Sequence, residues 1–279
     1  MNRFPKINAH ALGACKGRIY TNSLEAFETS YRAGCRSFEA DVNLTKDGAF
    51  VISHDIRRLM RQTYCEFMND KTVGVHDEWD GVAIQGGTPL DMDAIFKLMA
   101  KYQDVFLMFD FQPSAIGPYA GRVDVLRDFC SLFCDEDIRK RCVIEISRND
   151  WLVKIVGSYG LNSMLWVDGQ NIDKVFQFIE NYNVRYVSVA WNMLSKKIVN
   201  EFHKKGVVVY ASGADRYVNY LQGRDMGCDF ITTFFPYRYR NIMTFSFGFF
   251  LRKILMAMTL GRIARAFNFE FEQFSKRCL

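Results

Sequence analysis

A chain of 279 residues suits one large α/β domain or two small ones. Hydrophobic residues make up 49% and aromatic residues 15%, which excludes wholesale disorder. The net charge of +5 is mild and its basic residues are scattered until the C-terminus, so no nucleic-acid footprint is present.

The opening MNRFPKINAH lacks the apolar core of a secretory leader, and export by the usual route is not expected. It runs straight into a short strand, KINAHAL. NSLEAFETSYRAG predicts a helix closed by Gly34. RSFEADVN predicts the next strand. After a long excursion, TPLDMDAIFKLMAKY predicts a helix and DVFLMFDF an apolar strand. Further strands are predicted at RCVIEIS, SMLWVD, RYVSVAW, GVVVYAS and CDFITTF. Helical stretches separate them, among them KKIVNEFHKKG, which stops at Gly206. Ile7, Phe38, Val105, Val143, Met164, Tyr186, Val207 and Phe230 thus mark eight strand–helix units. Near-continuous apolar strands of this kind are those of a parallel sheet covered by helices. The pattern predicts a (β/α)8 TIM barrel over residues 1–240. An open doubly wound sheet is the alternative, but HALGACKG spaces its glycines wrongly for a dinucleotide fingerprint.

Residues 241–279 change character and are expected to form a basic, apolar helical extension. IMTFSFGFFLRKILMAMTLGRIARAFNFEFEQF is interrupted by Arg252, Lys253, Arg262 and Arg265, so its apolar run falls short of the roughly 20 residues a spanning helix needs. Two readings stay open for it: a packed helix, or an amphipathic segment lying on an anionic membrane surface. Eight cysteines occur without a CxxC motif or zinc spacing, and Cys130 and Cys134 are expected on one helix face. Free thiols in a reducing compartment follow, and hence a cytoplasmic protein, at the inner membrane surface if the tail binds lipid.

Chemistry concentrates where barrel strands end. Strand side chains alternate, so Glu39 and Asp41 share one face while Phe38, Ala40 and Val42 take the other. Two acids held together are costly unless a cation lies between them. Asp110 ends the third strand within an otherwise apolar run. Three carboxylates from neighbouring strand ends can converge on one hard divalent cation. His10 ends the first strand and His54 follows the acids; two imidazoles beside such an ion can serve as base and acid. His76 and His203 are read as non-catalytic. Glu145, Trp166, Asp168, Trp191 and Tyr210 end later strands, and an acid with aromatic walls suits a polyol, sugar or lipid headgroup.

AHALG (9–13), TNSLEAF (21–27), FEADVNLTKDG (38–48), SHD (53–55) and DFITTFFP (229–236) resemble the glycerophosphodiester phosphodiesterase family. Its phosphatidylinositol phospholipase C-like and sphingomyelinase D-like barrel relatives are included in that likeness. The resemblance covers about residues 5–237. It implies His10 and His54 as the acid–base pair, and Glu39, Asp41 and Asp110 as ligands of Mg²⁺ or Ca²⁺. It also implies attack on phosphorus by water or a substrate hydroxyl, with a small-molecule or lipid phosphodiester as substrate and no nucleic acid. Three positions depart from the family's pattern. Its Arg after the first His is Ala11 here, its Glu before Asn-Thr is Thr21, and its Lys two after the third acid is Gln112. Arg and Lys there would hold the phosphate; Lys16, Arg18, Arg57 and Arg58 are the stand-ins. Loss of those cations leaves a second reading, a non-catalytic barrel that binds a phosphorylated ligand. A role with phosphodiester-linked surface polysaccharide is a third and has no direct support in the residues.

Overall fold

The computed structural model describes residues 6–72, 87–112 and 122–239. The expectations for His76 and for the tail beyond Tyr239, including its helix and its membrane contact, lie outside the described residues. The chain divides into two units, Met1–Pro236 and Tyr237–Leu279; the account below concerns the first.

The strands are β1 (Lys6–Ala9), β2 (Ser37–Leu44), β3 (Phe50–Ile52), β4 (Leu90–Asp91), β5 (Phe106–Phe111), β6 (Cys142–Ile146), β7 (Asn162–Val167), β8 (Tyr186–Ala190), β9 (Val208–Ser212) and β10 (Phe230–Thr233). The helices are α1 (Leu24–Arg32), α2 (Ile56–Leu59), α3 (Tyr64–Asn69), α4 (Met92–Lys101), α5 (Val123–Ser131), α6 (Glu136–Lys140), α7 (Asp150–Ser158), α8 (Ile172–Tyr182), α9 (Lys196–Lys204) and α10 (Tyr217–Met226). Eight parallel strands run in the order β1-β10-β9-β8-β7-β6-β5-β2, and β1 pairs with β2 to close the ring. The predicted TIM barrel is therefore the fold. β3 and β4 are a short antiparallel flap added to β2, with Val42 opposite Ile52 and Val51 opposite Asp91.

Helix starts follow their caps. Ser23 accepts the Ala26 N–H at the head of α1, and Asp91 accepts the Ala94 N–H at the head of α4. Gly34 and Gly206, read as stops, have positive φ. The outward face of β2 packs as predicted: Phe38 meets Phe27 of α1 at 4.6 Å between ring centroids. Met108, Val143, Met164 and Tyr210 fill the inside of the barrel, with Phe106, Tyr186, Val208 and Phe230 packed against them. This apolar plug forms the floor on which the polar groups stand. Cys130 lies on α5, but that helix ends at Ser131, so the exposed Cys134 shares no helix face with it. The seven cysteines among the described residues are all free thiols. Among the described residues no helix is long and apolar enough to cross a membrane.

Candidate active site

Parallel register places Asp41, Asp110 and Glu145 side by side on β2, β5 and β6. Register partners on neighbouring strands face the same way, so three acids stand in one row above the apolar plug. Glu39 lies two residues below Asp41, beside Met108 of the plug. Glu39, Asp41 and Asp110 each bring a carboxylate oxygen within 4.8 Å of the other two. Two oxygens about 2.3–2.6 Å from a shared cation lie at most about 5 Å apart, so the three fit one Mg²⁺- or Ca²⁺-like ion. The electrostatics agree. Burial first, then the charges of Asp41 and Asp110, push Glu39 well above the usual carboxylate range. Burial first, then Asp41, raises Asp110 to about 7. Glu145 is raised chiefly by burial and then by Asp110, and its Oε2 is buried with no hydrogen-bond partner. Crowded, buried acids are what a cation would relieve.

Amides hold the acids in place. Asn22 donates to Asp41 Oδ2 at 2.7 Å and accepts the Asp41 N–H at 3.2 Å. Gln112 Nε2 donates to Asp41 Oδ1 at 2.9 Å and to Asp110 Oδ2 at 3.1 Å. Asn43 donates to Gln112 Oε1 at 2.6 Å and to the Ser53 carbonyl at 2.8 Å. The Ala11 N–H donates to Glu39 Oε2 at 2.5 Å. Residues that orient metal ligands typically contribute 10–100-fold in metal affinity. Asn22→Ala is accordingly expected to weaken Mg²⁺ or Ca²⁺ binding by about 30-fold by calorimetry, with the fold intact by circular dichroism.

His10 follows β1 directly, with Nε2 3.8 Å from Glu39 Oε2 and its ring stacked on Phe234 at 4.1 Å. Burial lowers its pKa, while Asp41 and Asp215 act in the opposite sense. Its loop is tightly built: Gly13, at φ 102°, donates to the His10 carbonyl at 2.7 Å. A Cβ on Gly13 would fall 2.0 Å from Ser30 Oγ. His54 rides on the flap. Ser53 N–H donates to the Asp41 carbonyl at 2.9 Å, and Asp55 caps α2 by accepting the Arg58 N–H at 3.0 Å. Tyr20 packs against both imidazoles, at 5.2 Å from His10 and 4.5 Å from His54 between ring centroids. The two histidines and three acids predicted from sequence therefore meet at one end of the barrel.

The other predicted residues scatter. Trp166 and Trp191 are half-buried, at the end of β7 and just after β8, and Asp168 is exposed beyond β7. Lys16 and Arg18 are exposed on the loop that follows β1, and Arg57 is exposed on α2. Arg58 is not a free stand-in: it pairs with Asp70 at 3.0 Å and donates to the Thr72 carbonyl at 2.7 Å. Tyr210 is not at the mouth. It sits mid-strand in the plug, 1% exposed and stacked on Phe230 at 4.2 Å, with its hydroxyl bonded to Ser37. His203 pairs with Asp229 at 2.9 Å, on α9. Sequence reasoning missed Tyr20, the clamping roles of Asn22, Asn43 and Gln112, and Asp215. Asp215 follows β9 and accepts from Thr233 Oγ1 and the Phe234 N–H, both at 2.9 Å.

Residues 13–76 match the sequence profile of the glycerophosphoryl diester phosphodiesterase family. That stretch holds Glu39, Asp41 and His54 but neither His10 nor Asp110. The Bacillus subtilis protein YhdW, named for the same family, is 22% identical over 221 residues, covering 77% of this chain and 89% of its own. A glycerophosphodiester phosphodiesterase from Parabacteroides distasonis superposes with a TM-score of 0.68 at 19% identity, over 87% of this chain and 98% of that one. An Oleispira antarctica phosphodiesterase, solved with the product sn-glycerol-3-phosphate, superposes with a TM-score of 0.67 at 15% identity, over 86% and 97% of the two chains. The chain is thus similar to the glycerophosphoryl diester phosphodiesterases in sequence pattern over residues 13–76 and in its barrel fold.

Proposed function

We propose that the chain is a metal-dependent phosphoric diester hydrolase acting on a glycerophosphodiester or a phospholipid-headgroup diester. The observation that carries this is the meeting of three buried-to-half-buried acids with two imidazoles at one barrel end. Glu39, Asp41 and Asp110 would hold Mg²⁺ or Ca²⁺, which when bound would polarise a phosphoryl oxygen and neutralise developing charge. Asn22 and Gln112 keep the carboxylates aimed. One of His10 and His54 takes the proton of the attacking hydroxyl or water, and the other protonates the leaving oxygen. Burial that lowers the His10 pKa leaves its imidazole neutral near pH 7, which fits it to accept the proton. Lys16, Arg18 and Arg57 draw the anion toward the mouth, and Glu145, Trp166 and Trp191 wall the headgroup side. The barrel at 1–240 carries the chemistry and the tail at 241–279 brings it to a cytoplasmic membrane face.

Cleavage of bis(4-nitrophenyl) phosphate is expected with Mg²⁺, Ca²⁺ or Mn²⁺, absent in EDTA and absent in Glu39→Ala. A non-catalytic phospholigand-binding barrel, suggested by Ala11 and Gln112 where the family has cations, predicts the opposite: no turnover of any diester, with phosphate still bound.

A further inference from the structure

The cations expected to grip the phosphate are missing at Ala11 and Gln112, and Arg58 is engaged elsewhere. We propose that Tyr20 replaces them, its hydroxyl donating a hydrogen bond to a non-bridging oxygen of the phosphoryl group. The proposal rests on the phosphodiester reading above and adds a residue to that site.

Four observations place Tyr20 there. Its ring touches both imidazoles and lies 4.6 Å from Phe234, so it borders the space where the acid and the base must act on one substrate. Its hydroxyl makes no hydrogen bond among the described residues, although the ring is half-buried. A donor held at a site mouth without a partner is suited to an incoming acceptor. Burial first, then the charges of Asp41, Glu39, Asp215 and Asp110, push the pKa of that hydroxyl far up, so it stays a donor at neutral pH.

The backbone supplies the fourth. Six non-glycine residues among those described have positive φ, and five of them are Ala11, Leu12, Lys16, Tyr20 and Asn22. Residues of this kind cost free energy and persist where the surrounding structure over-determines them, often at functional sites. Here they lie in one loop that sets His10 3.8 Å from Glu39, Tyr20 against both imidazoles and Asn22 on Asp41. The Cys15 and Arg18 backbones bond each other in both directions at 2.9 Å, which closes the turn ahead of Tyr20.

Donation of a neutral O–H suits the transition state. It stabilises charge that grows on the phosphoryl oxygens without adding a fixed positive charge that would compete with the metal for the same acids. No bond to the tyrosine forms and its proton stays on oxygen.

Tyr20→Phe removes the hydroxyl and keeps the ring between the imidazoles. With bis(4-nitrophenyl) phosphate and Mg²⁺, kcat/KM is expected to fall about 100-fold, most of it in kcat. Calorimetric binding of inorganic phosphate to the Mg²⁺-loaded protein is expected to weaken about tenfold. Thermal stability and the histidine NMR titrations should stay near wild type, which a merely structural tyrosine would not predict alongside the kinetic loss. Tyr20→Leu should lose more, because the ring packing goes too. Retention of kcat/KM within about threefold and of phosphate affinity in Tyr20→Phe overturns the proposal. A gain in activity also overturns it, by showing that the side chain blocks the substrate. Wild-type protein inert on diesters sinks the hydrolase reading instead; the phosphate titration then decides the role of Tyr20 by itself.

Discussion

His10→Ala and His54→Ala are each expected to lower kcat for a phosphodiester by about 1,000-fold, because under the proposed mechanism each removes one proton-transfer partner from the transition state. The double variant should be scarcely worse than either single one, since residues acting as a unit are not additive. Steady-state rates at saturating Mg²⁺ check this, with metal affinity measured alongside. His10 lies 3.8 Å from Glu39, so a metal affinity unchanged in His10→Ala separates a proton-transfer role from a metal-holding one. Equal rates for wild type and both single variants would dispose of the assignment.

The second large effect concerns pH and the bare acid cluster. Asp110 titrates at about 7 in the folded chain, raised first by burial and next by Asp41, against about 3.9 when unfolded. Folding thus favours its protonated form. The stability this contributes is complete below about pH 4 and is lost as pH rises toward 7. Metal-free protein should therefore melt lower at pH 8 than at pH 5. Mg²⁺ or Ca²⁺ at a hundredfold excess over its dissociation constant should raise Tm by about 5–10 °C at pH 8, and far less at pH 4.5 where Asp110 holds a proton. Asp110→Asn should raise the metal-free Tm at pH 8 by about 5 °C, have little effect at pH 4.5, and abolish the response to metal. Calorimetric melts across pH with and without EDTA read all three, and a metal-free Tm insensitive to Asp110→Asn at pH 8 would refute the crowding argument.

The barrel was legible because its strands are short apolar runs between helices with recognisable stops, such as Gly34 and Gly206. The acids were legible because alternation puts Glu39 and Asp41 on one face, and because Asp110 interrupts FLMFDF. Three things were hidden for physical reasons. Register between strands is a tertiary property, so the row Asp41–Asp110–Glu145 and the burial of Tyr210 in the plug emerge only with the closed sheet. Tyr210 was placed at a strand end, yet β9 runs on to Ser212. Amide clamps such as Asn22 to Asp41 join residues 19 apart through a loop with no periodicity to betray it. Arg58 looks like any loop cation until Asp70 and Thr72 come to meet it.

The flap separates the fate of activity from that of the fold. His54, proposed as one of the two acid–base groups, follows a two-strand appendage hung on β2, while His10 and the acids belong to the closed ring. Small antiparallel ribbons open at far lower free energy than closed barrels. Warming, or mild denaturant, would peel that ribbon and part the histidines while the ring still gives a native spectrum. Turnover would then fade ahead of ellipticity, and amide hydrogens at Phe50–Ile52 would exchange before those of the ring strands.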